Sequence, residues 1–162
     1  MTANQKKILD LLKNDARYTA SQIADMLCME VVDVEKTIEE FERDGVIVKY
    51  SAIVNDDEFF GDGVQALIEV KVNPMKEKGY DEIAEYVEQF AEVKNLYLMS
   101  GAYDLAIFIE GKNLKEVARF VSEKLSCINQ VQAVSTHFIL KKYKIEGVAL
   151  DRQKKERLII QP

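Results

Sequence analysis

The sequence predicts an α+β chain of two units, a helix-turn-helix followed by a ferredoxin-like β-α-β-β-α-β unit. Three observations predict it. Apolar residues recur at helical spacing in three short runs within residues 5–44, the pattern changes to two-residue alternation after residue 64, and a turn-rich break, NDDEFFGDG at 55–63, separates the two regimes. A length of 162 residues suits one ordinary domain or two small ones. The boundary is expected at about residue 60, giving units 1–60 and 61–162.

In the first unit, Ile8, Leu9 and Leu12 form the apolar stripe of QKKILDLLKN. Thr19 or Ser21 is placed to cap a second helix whose inward positions are Ile23, Ala24 and Leu27. A short turn near Cys28 and Met29 follows. A third helix carries Val34, Ile38 and Phe41 at i, i+4 and i+7, and Gly45 stops it just past its end. Three short helices with a tight turn before the third make a helix-turn-helix. The next residues, VIVKYSAIV, are β-branched and predict a strand-like wing or linker, so the unit is a winged helix-turn-helix.

In the second unit, VQALIEVKVN predicts a strand with Ala66, Ile68, Val70 and Val72 on one face, ended by Pro74. Residues 80–91 predict a helix with Ile83, Ala84, Val87 and Ala91 on one side. VKNLYLMSG and YDLAIFIEG predict two strands joined by a turn at Gly101. Residues 113–125 predict a second helix with Leu114, Val117, Ala118, Val121 and Leu125 in phase, and QVQAVSTHFILKKYK a final strand. Two helices on one face leave the other face open, and a second copy of the chain would bury it. Residues 145–162 carry Arg152, Lys154, Lys155 and Arg157 and end in LIIQP, suited to an extra strand or an arm swapped between subunits.

Composition excludes several classes. With 48% hydrophobic and 31% charged residues the chain reads as soluble and globular. No apolar run approaches the roughly 18 residues of a membrane span. MTANQKKILDLLKN lacks the apolar core and small-residue cleavage site of a signal peptide, so the cytoplasm is the expected compartment. Cys28 and Cys127 make no disulfide framework, and one histidine, His137, with no clustered cysteines argues against a dedicated metal site. There is no nucleotide-binding glycine pattern and no set of histidines for a nucleophilic triad, so neither a cofactor nor enzymatic activity is expected. Some proteins of similar two-part fold are haem-precursor decarboxylases, but that chemistry leans on histidines and arginines, and here only His137 is available.

Beyond these patterns, QKKILDLLKNDARYTASQIADML, the run FERDGVI with Tyr50 after it, the turn SGAYDLAIFIEG and the strand STHFILKKYK occur in an order that resembles the Lrp/AsnC family of feast/famine regulators over residues 4–145. The FERDGVIVKY stretch is similar to the family's "ERxGxIxxY" step into the wing, and SGAYD to its Ser-Gly-x-x-Asp turn. The resemblance implies dimers that read double-stranded DNA through their N-terminal helices. It also implies a ferredoxin-like (RAM-type) sensing domain that assembles dimers into octamers or similar rings and binds an amino acid or related metabolite beside the glycine turn. The matching turn positions are Ser100, Gly101, Tyr103 and Asp104, while Ala102 stands where many relatives have Asp. An effector amine needs a carboxylate such as Asp104, and backbone N–H groups at a glycine turn suit an effector carboxylate. Gly101 also has a plain reading as a positive-φ turn residue, and Asp104 as a side chain capping that turn.

The third helix departs most from the family pattern. From Val32 to Asp44 it holds six acids (Asp33, Glu35, Glu39, Glu40, Glu42, Asp44) against two bases (Lys36, Arg43), and relatives commonly have arginines at the positions of Glu39 and Glu40. Residues 1–50 hold seven Lys plus Arg and ten Asp plus Glu, 7 − 10 = −3, within a chain of net charge −6. DNA affinity draws heavily on phosphate neutralisation, so this sign is a handicap. With Val34, Ile38 and Phe41 inward, Lys36 and Arg43 lie near the centre of the outer face. Glu30, Val32, Asp33 and Lys36, with Thr37 a turn further on, are the positions expected to meet base edges; carboxylates accept from cytosine N4 and apolar side chains meet thymine methyls. Arg43 and Lys49 join them as DNA-contacting candidates, and Lys6, Lys7, Lys13 and Arg17 flank them as phosphate contacts. The plain alternative is a solvated face with internal pairing, such as Glu39 with Arg43. The functional alternative is a metabolite-sensing assembly partner that has lost direct DNA contact and works in mixed oligomers.

Overall fold

The computed structural model describes residues 1–55, 63–73 and 79–150. The chain divides into two compact units, Met1–Val54 and Asn55–Pro162. The expected boundary near residue 60, the strand-ending Pro74 and the tail beyond Leu150 lie outside the described residues.

The first unit is built from α1 (Ala3–Asn14), α2 (Ala20–Leu27) and α3 (Val31–Arg43). The first two begin with the same device. Thr2 and Thr19 each accept a hydrogen bond at Oγ1 from the third residue along, Gln5 and Gln22, whose side chains accept in return from the threonine N–H groups. These reciprocal caps satisfy donors that a helix start otherwise leaves open. Ile8, Leu12, Ile23, Ala24, Val34 and Phe41 form the buried core, with Leu9, Leu27 and Ile38 half-buried around it. The α2–α3 turn is made by Cys28, which ends α2 in the left-handed region at φ 52°. Gly45, φ +70°, ends α3, and the Ile47 N–H closes back on the Phe41 carbonyl at 3.0 Å.

The strand expected over VIVKYSAIV is absent: residues 48–55 take no regular structure, and Val46, Val48, Tyr50, Ile53 and Val54 are exposed. β-Branched residues fit a pleated surface only when a neighbouring strand supplies it, and within this unit none does.

The second unit holds β1 (Val64–Val72), α4 (Asp81–Val87), β2 (Val93–Leu98), β3 (Leu105–Gly111), α5 (Leu114–Phe120) continuing into a π turn (Val121–Leu125), and β4 (Val131–Phe138). The four strands form one antiparallel sheet in the order β2-β3-β1-β4, the ferredoxin-like arrangement. Ala66, Ile68, Val70 and Val72 are buried on one face, as their spacing predicts, together with Leu105, Ile107 and Ile109. Ile83 and Val87 of α4, Val117 and Phe120 of α5, and Leu125 of the π turn close the same core.

Three elements differ from the sequence reading. α4 ends at Val87, and Ala91 is exposed beyond it. In α5, Leu114 and Ala118 are exposed while Phe120 is buried; after Phe120 the turn widens, and the Ser126 N–H bonds the Val121 carbonyl five residues back at 2.9 Å. A regular helix over 113–125 has the expected phase; the extra residue resets it and brings Phe120 and Leu125 to the core together. The last strand stops at Phe138, and a small hairpin of β5 (Lys144–Ile145) and β6 (Val148–Ala149) follows, turning through Glu146 and Gly147 at φ 45° and 84°.

A left-handed backbone costs a non-glycine residue about 1–2 kcal/mol, partly offset in glycine by its unfolded-state entropy. Cys28→Gly is therefore expected to stabilise the first unit by about 1 kcal/mol, read as slower hydrogen exchange of the α2 and α3 core amides. An unchanged or faster rate would show that the turn carries no such strain.

Candidate effector and DNA-contacting surfaces

The β2–β3 connection presents the four positions singled out at the glycine turn. Gly101 sits at φ +145°, outside the range comfortable for other residues, and a Cβ there meets no atom within 4 Å, so its requirement is conformational and not one of space. Ser100 is exposed and Tyr103 half-buried beside it. Asp104 is turned onto the end of β1. Its Oδ2 accepts from the Val72 N–H at 2.9 Å and its Oδ1 from Lys71 Nζ at 3.1 Å, while its own N–H donates to the Val70 carbonyl at 3.0 Å. The Met99 N–H donates to the Asp104 carbonyl at 2.8 Å and closes the turn.

Asp104 thus fastens the turn to the end of β1. The Val72 N–H holds its carboxyl below the usual carboxylate range; burial opposes this, and Lys71 and then Tyr80 add to the lowering. Lys71 was not singled out from the sequence. Its position on the polar side of β1 was legible, but its pairing with a residue 33 places away was not. An effector amine that uses Asp104 must share it with Lys71.

The open sheet face is mixed. Leu67 lies between Phe108 and His137 across its two neighbours, and Glu69 between Ala106 and Ser135. The Tyr97 and Phe108 rings meet edge to face at 6.1 Å, and Glu69 Oε2 is 3.4 Å from His137 Nε2. A cleft of about 650 Å³ opens at the other end of the sheet from the glycine turn, lined among others by Lys94, Glu110, Lys112, Glu116, Arg119 and Lys124. Its charges are largely paired: Lys124 with Glu92 at 2.6 Å, Lys94 with Glu110 at 3.7 Å and, loosely, Arg119 with Glu123 at 4.0 Å.

On the first unit, Glu30, Val32, Asp33 and Lys36 are exposed together around the first turns of α3. Glu30 precedes the helix without capping it through its side chain, and Asp33 lies in the first turn, where the positive end of the helix dipole favours acids. Thr37 is half-buried and its hydroxyl donates to the Asp33 carbonyl at 2.8 Å. Arg43 lies two turns beyond Lys36, about 10 Å along the axis, and Lys49 is exposed in the segment after the helix. Arg43 pairs with Asp44 at 2.9 Å, not with Glu39, because the shorter reach is to the neighbouring carboxylate. Tyr50, which carries part of the family resemblance, donates its hydroxyl to Glu42 Oε1 at 2.8 Å and so ties the exiting segment to α3. Burial and that carboxylate both push the Tyr50 phenol up, which keeps it a donor.

Among the described residues no helix is long and apolar enough to cross a membrane. Residues 65–149 match the family described as the Lrp/AsnC ligand binding domain. The HTH-type transcriptional regulator YugG of Bacillus subtilis is 40% identical, with 100% of this chain and 99% of that protein aligned. The HTH-type transcriptional regulator FL11 of Pyrococcus horikoshii is 30% identical over 86% of this chain and 89% of its own length. In fold, the chain is similar to transcriptional regulator NMB0573 of Neisseria meningitidis, solved as an L-Met complex, with a TM-score of 0.72 at 21% identity over 94% and 98% of the two chains.

A carboxyl whose folded pKa is depressed contributes stability above its unfolded pKa and loses it as pH falls through the folded value. Asp104→Asn is therefore expected to lower the thermal midpoint of the second unit near neutral pH, with the gap to the parent closing as pH drops through and below the carboxylate range. A pH-independent gap, in calorimetric scans from neutral to acid, would assign the loss to geometry instead of charge.

Proposed function

This chain belongs to the Lrp/AsnC family of HTH-type transcriptional regulators, and from that premise we propose that it is a cytoplasmic regulator that reads double-stranded DNA and answers to an amino acid or related small metabolite. The family is one of regulators and not of enzymes. The observation that carries the reading is the pairing, in one chain, of a capped helix-turn-helix that exposes its third helix with a ligand-binding domain whose glycine turn is anchored to the sheet. Residues 1–60 serve as reader and residues 61–162 as sensor and assembly domain.

In this reading Glu30, Val32, Asp33, Lys36 and Thr37 face the major groove, and Arg43 and Lys49 lie toward the backbone. Ser100, Gly101, Tyr103 and Asp104 form one wall of the effector site, completed by a second copy. The exposed N–H groups of the turn meet an effector carboxylate, and Asp104, shared with Lys71, meets the amine. An L-Met complex is reported for a fold neighbour, which makes α-amino acids the first class to try. Two copies pair through the open sheet face, where Leu67, Tyr97 and Phe108 supply apolar area, and dimers assemble further into an octamer or similar ring. A ligand shifts such a system only by binding one state better than another.

A second reading has its own observation. The exposed side of α3 is rich in carboxylates, which favours a sensing partner that joins mixed oligomers with a paralogous regulator and does not touch DNA itself.

Selection of genomic fragments by the purified protein at roughly 50 mM salt, where phosphate contacts are little screened, with and without a mixture of amino acids, separates the two. A shared, roughly palindromic site whose recovery changes with the mixture is expected. Recovery of nothing above background would remove the DNA-reading proposal and leave the assembly partner. Gly101→Val is expected to abolish the response to the mixture while fragments are still selected; a full response in this variant would place the effector elsewhere.

A further inference from the structure

The cations of the first unit fall into two classes. Lys6, Lys7, Lys13, Lys36 and Lys49 hold no ion pair among the described residues, whereas both arginines are engaged, Arg17 by Asp15 and Arg43 by Asp44. The Arg17 pair is the more complete. Nε donates to Asp15 Oδ1 at 3.0 Å and Nη2 to Oδ2 at 2.8 Å, so one whole edge of the guanidinium is taken by one carboxylate. That edge is one of the two on which a guanidinium presents parallel N–H groups to a phosphate, and the one nearer the chain.

The carboxylate is fixed where it stands. Asp15 caps the end of α1, its N–H bonded to the Leu11 carbonyl at 2.9 Å and its Oδ1 also accepting the Arg17 N–H at 3.0 Å. It is the more sheltered partner, at 29% side-chain exposure against 90% for Arg17. Arg17 stands two residues before Thr19, the cap of α2, the helix that crosses the DNA backbone in a helix-turn-helix. The side chain best suited to grip a phosphate beside that helix therefore already holds an anion.

We propose that Asp15 is an internal competitor for DNA phosphate: it occupies one of the two phosphate-matching edges of Arg17, neutralises its charge and so restrains the affinity of the reader. The proposal rests on the DNA-reading function above. The Asp15 carboxyl is lowered to about 2, chiefly by hydrogen bonding from the Arg17 side chain, so ordinary changes in pH do not lift the restraint. The competitor yields only to a better-placed anion or to substitution.

The test is a double-mutant cycle on a short duplex carrying a selected site, with Kd measured by fluorescence anisotropy at two salt concentrations. Asp15→Asn keeps an amide oxygen for the Arg17 N–H, so the turn is retained, while the charge and the second acceptor are lost. It is expected to tighten binding about threefold or more, with a salt slope steeper by about 0.9, the value for one added phosphate contact. Arg17→Ala alone is expected to change little, and Asp15→Asn in the Arg17→Ala background to give much less than its gain in the parent. An equal gain in both backgrounds would reduce the effect to the removal of one negative charge and overturn the proposal, as would no gain at all. Binding by none of the four proteins would overturn the DNA reading itself, a distinct result from binding with an additive cycle.

Discussion

The second unit depends on the two-residue period of β1. Bonded on both sides, to β3 and to β4, this strand turns Ala66, Ile68, Val70 and Val72 to one face and Gln65, Leu67, Glu69 and Lys71 to the other. Nearly complete burial of the first set is what holds α4 and α5 in place, at roughly 25 cal/mol for each Å² of apolar surface removed from water. Because no helix among the described residues packs on the other face, the fold keeps there a surface that mixes aromatic rings with a Glu–His pair. The end of the strand also supplies the N–H and the ammonium that fix Asp104 and, through it, the glycine turn. Packing, open face and candidate effector site thus follow from one strand.

In the first unit the governing tension is between helix stability and phosphate affinity. Glu30 and Asp33 at the start of α3 suit the helix dipole and disfavour a phosphate at the same place. The arginines reinforce the pattern, since each is neutralised by a carboxylate within two residues of it. The cations that hold no ion pair among the described residues of this unit are lysines, compact point charges without the geometric selectivity of a guanidinium.

Much of this was legible in the sequence where the signal is local. The stop at Gly45, the inward residues of α3 and the alternation of β1 are each set by neighbours within a turn or two and appear as read, and of the two capping candidates for α2, Thr19 and Ser21, Thr19 is the cap. The failures have a common cause in partners distant along the chain. The 46–54 segment has strand composition and no strand within its own unit to pair with, and the Lys71–Asp104 bond joins residues with no shared pattern. The π turn was hidden for another reason: Val121 and Leu125 keep a helical spacing, so nothing in the apolar period marks the extra residue. For the residues proposed to contact DNA, spacing gives the exposed face of α3, while the pairing of Arg17 with Asp15 and of Arg43 with Asp44 depends on side-chain conformations that no pattern in the sequence marks.

The π turn gives the chain one place with slack in its length. Loss of a residue between Val121 and Leu125 returns the segment to an ordinary helix, and everything downstream can keep its seat. The same loss within β1 exchanges the two faces of the strand and turns Glu69 and Lys71 into the core. Indels are therefore partitioned in this domain: length variation is tolerable on the helical side and forbidden at the centre of the sheet. Natural variants of the fold that differ by a single residue should carry that difference after Phe120.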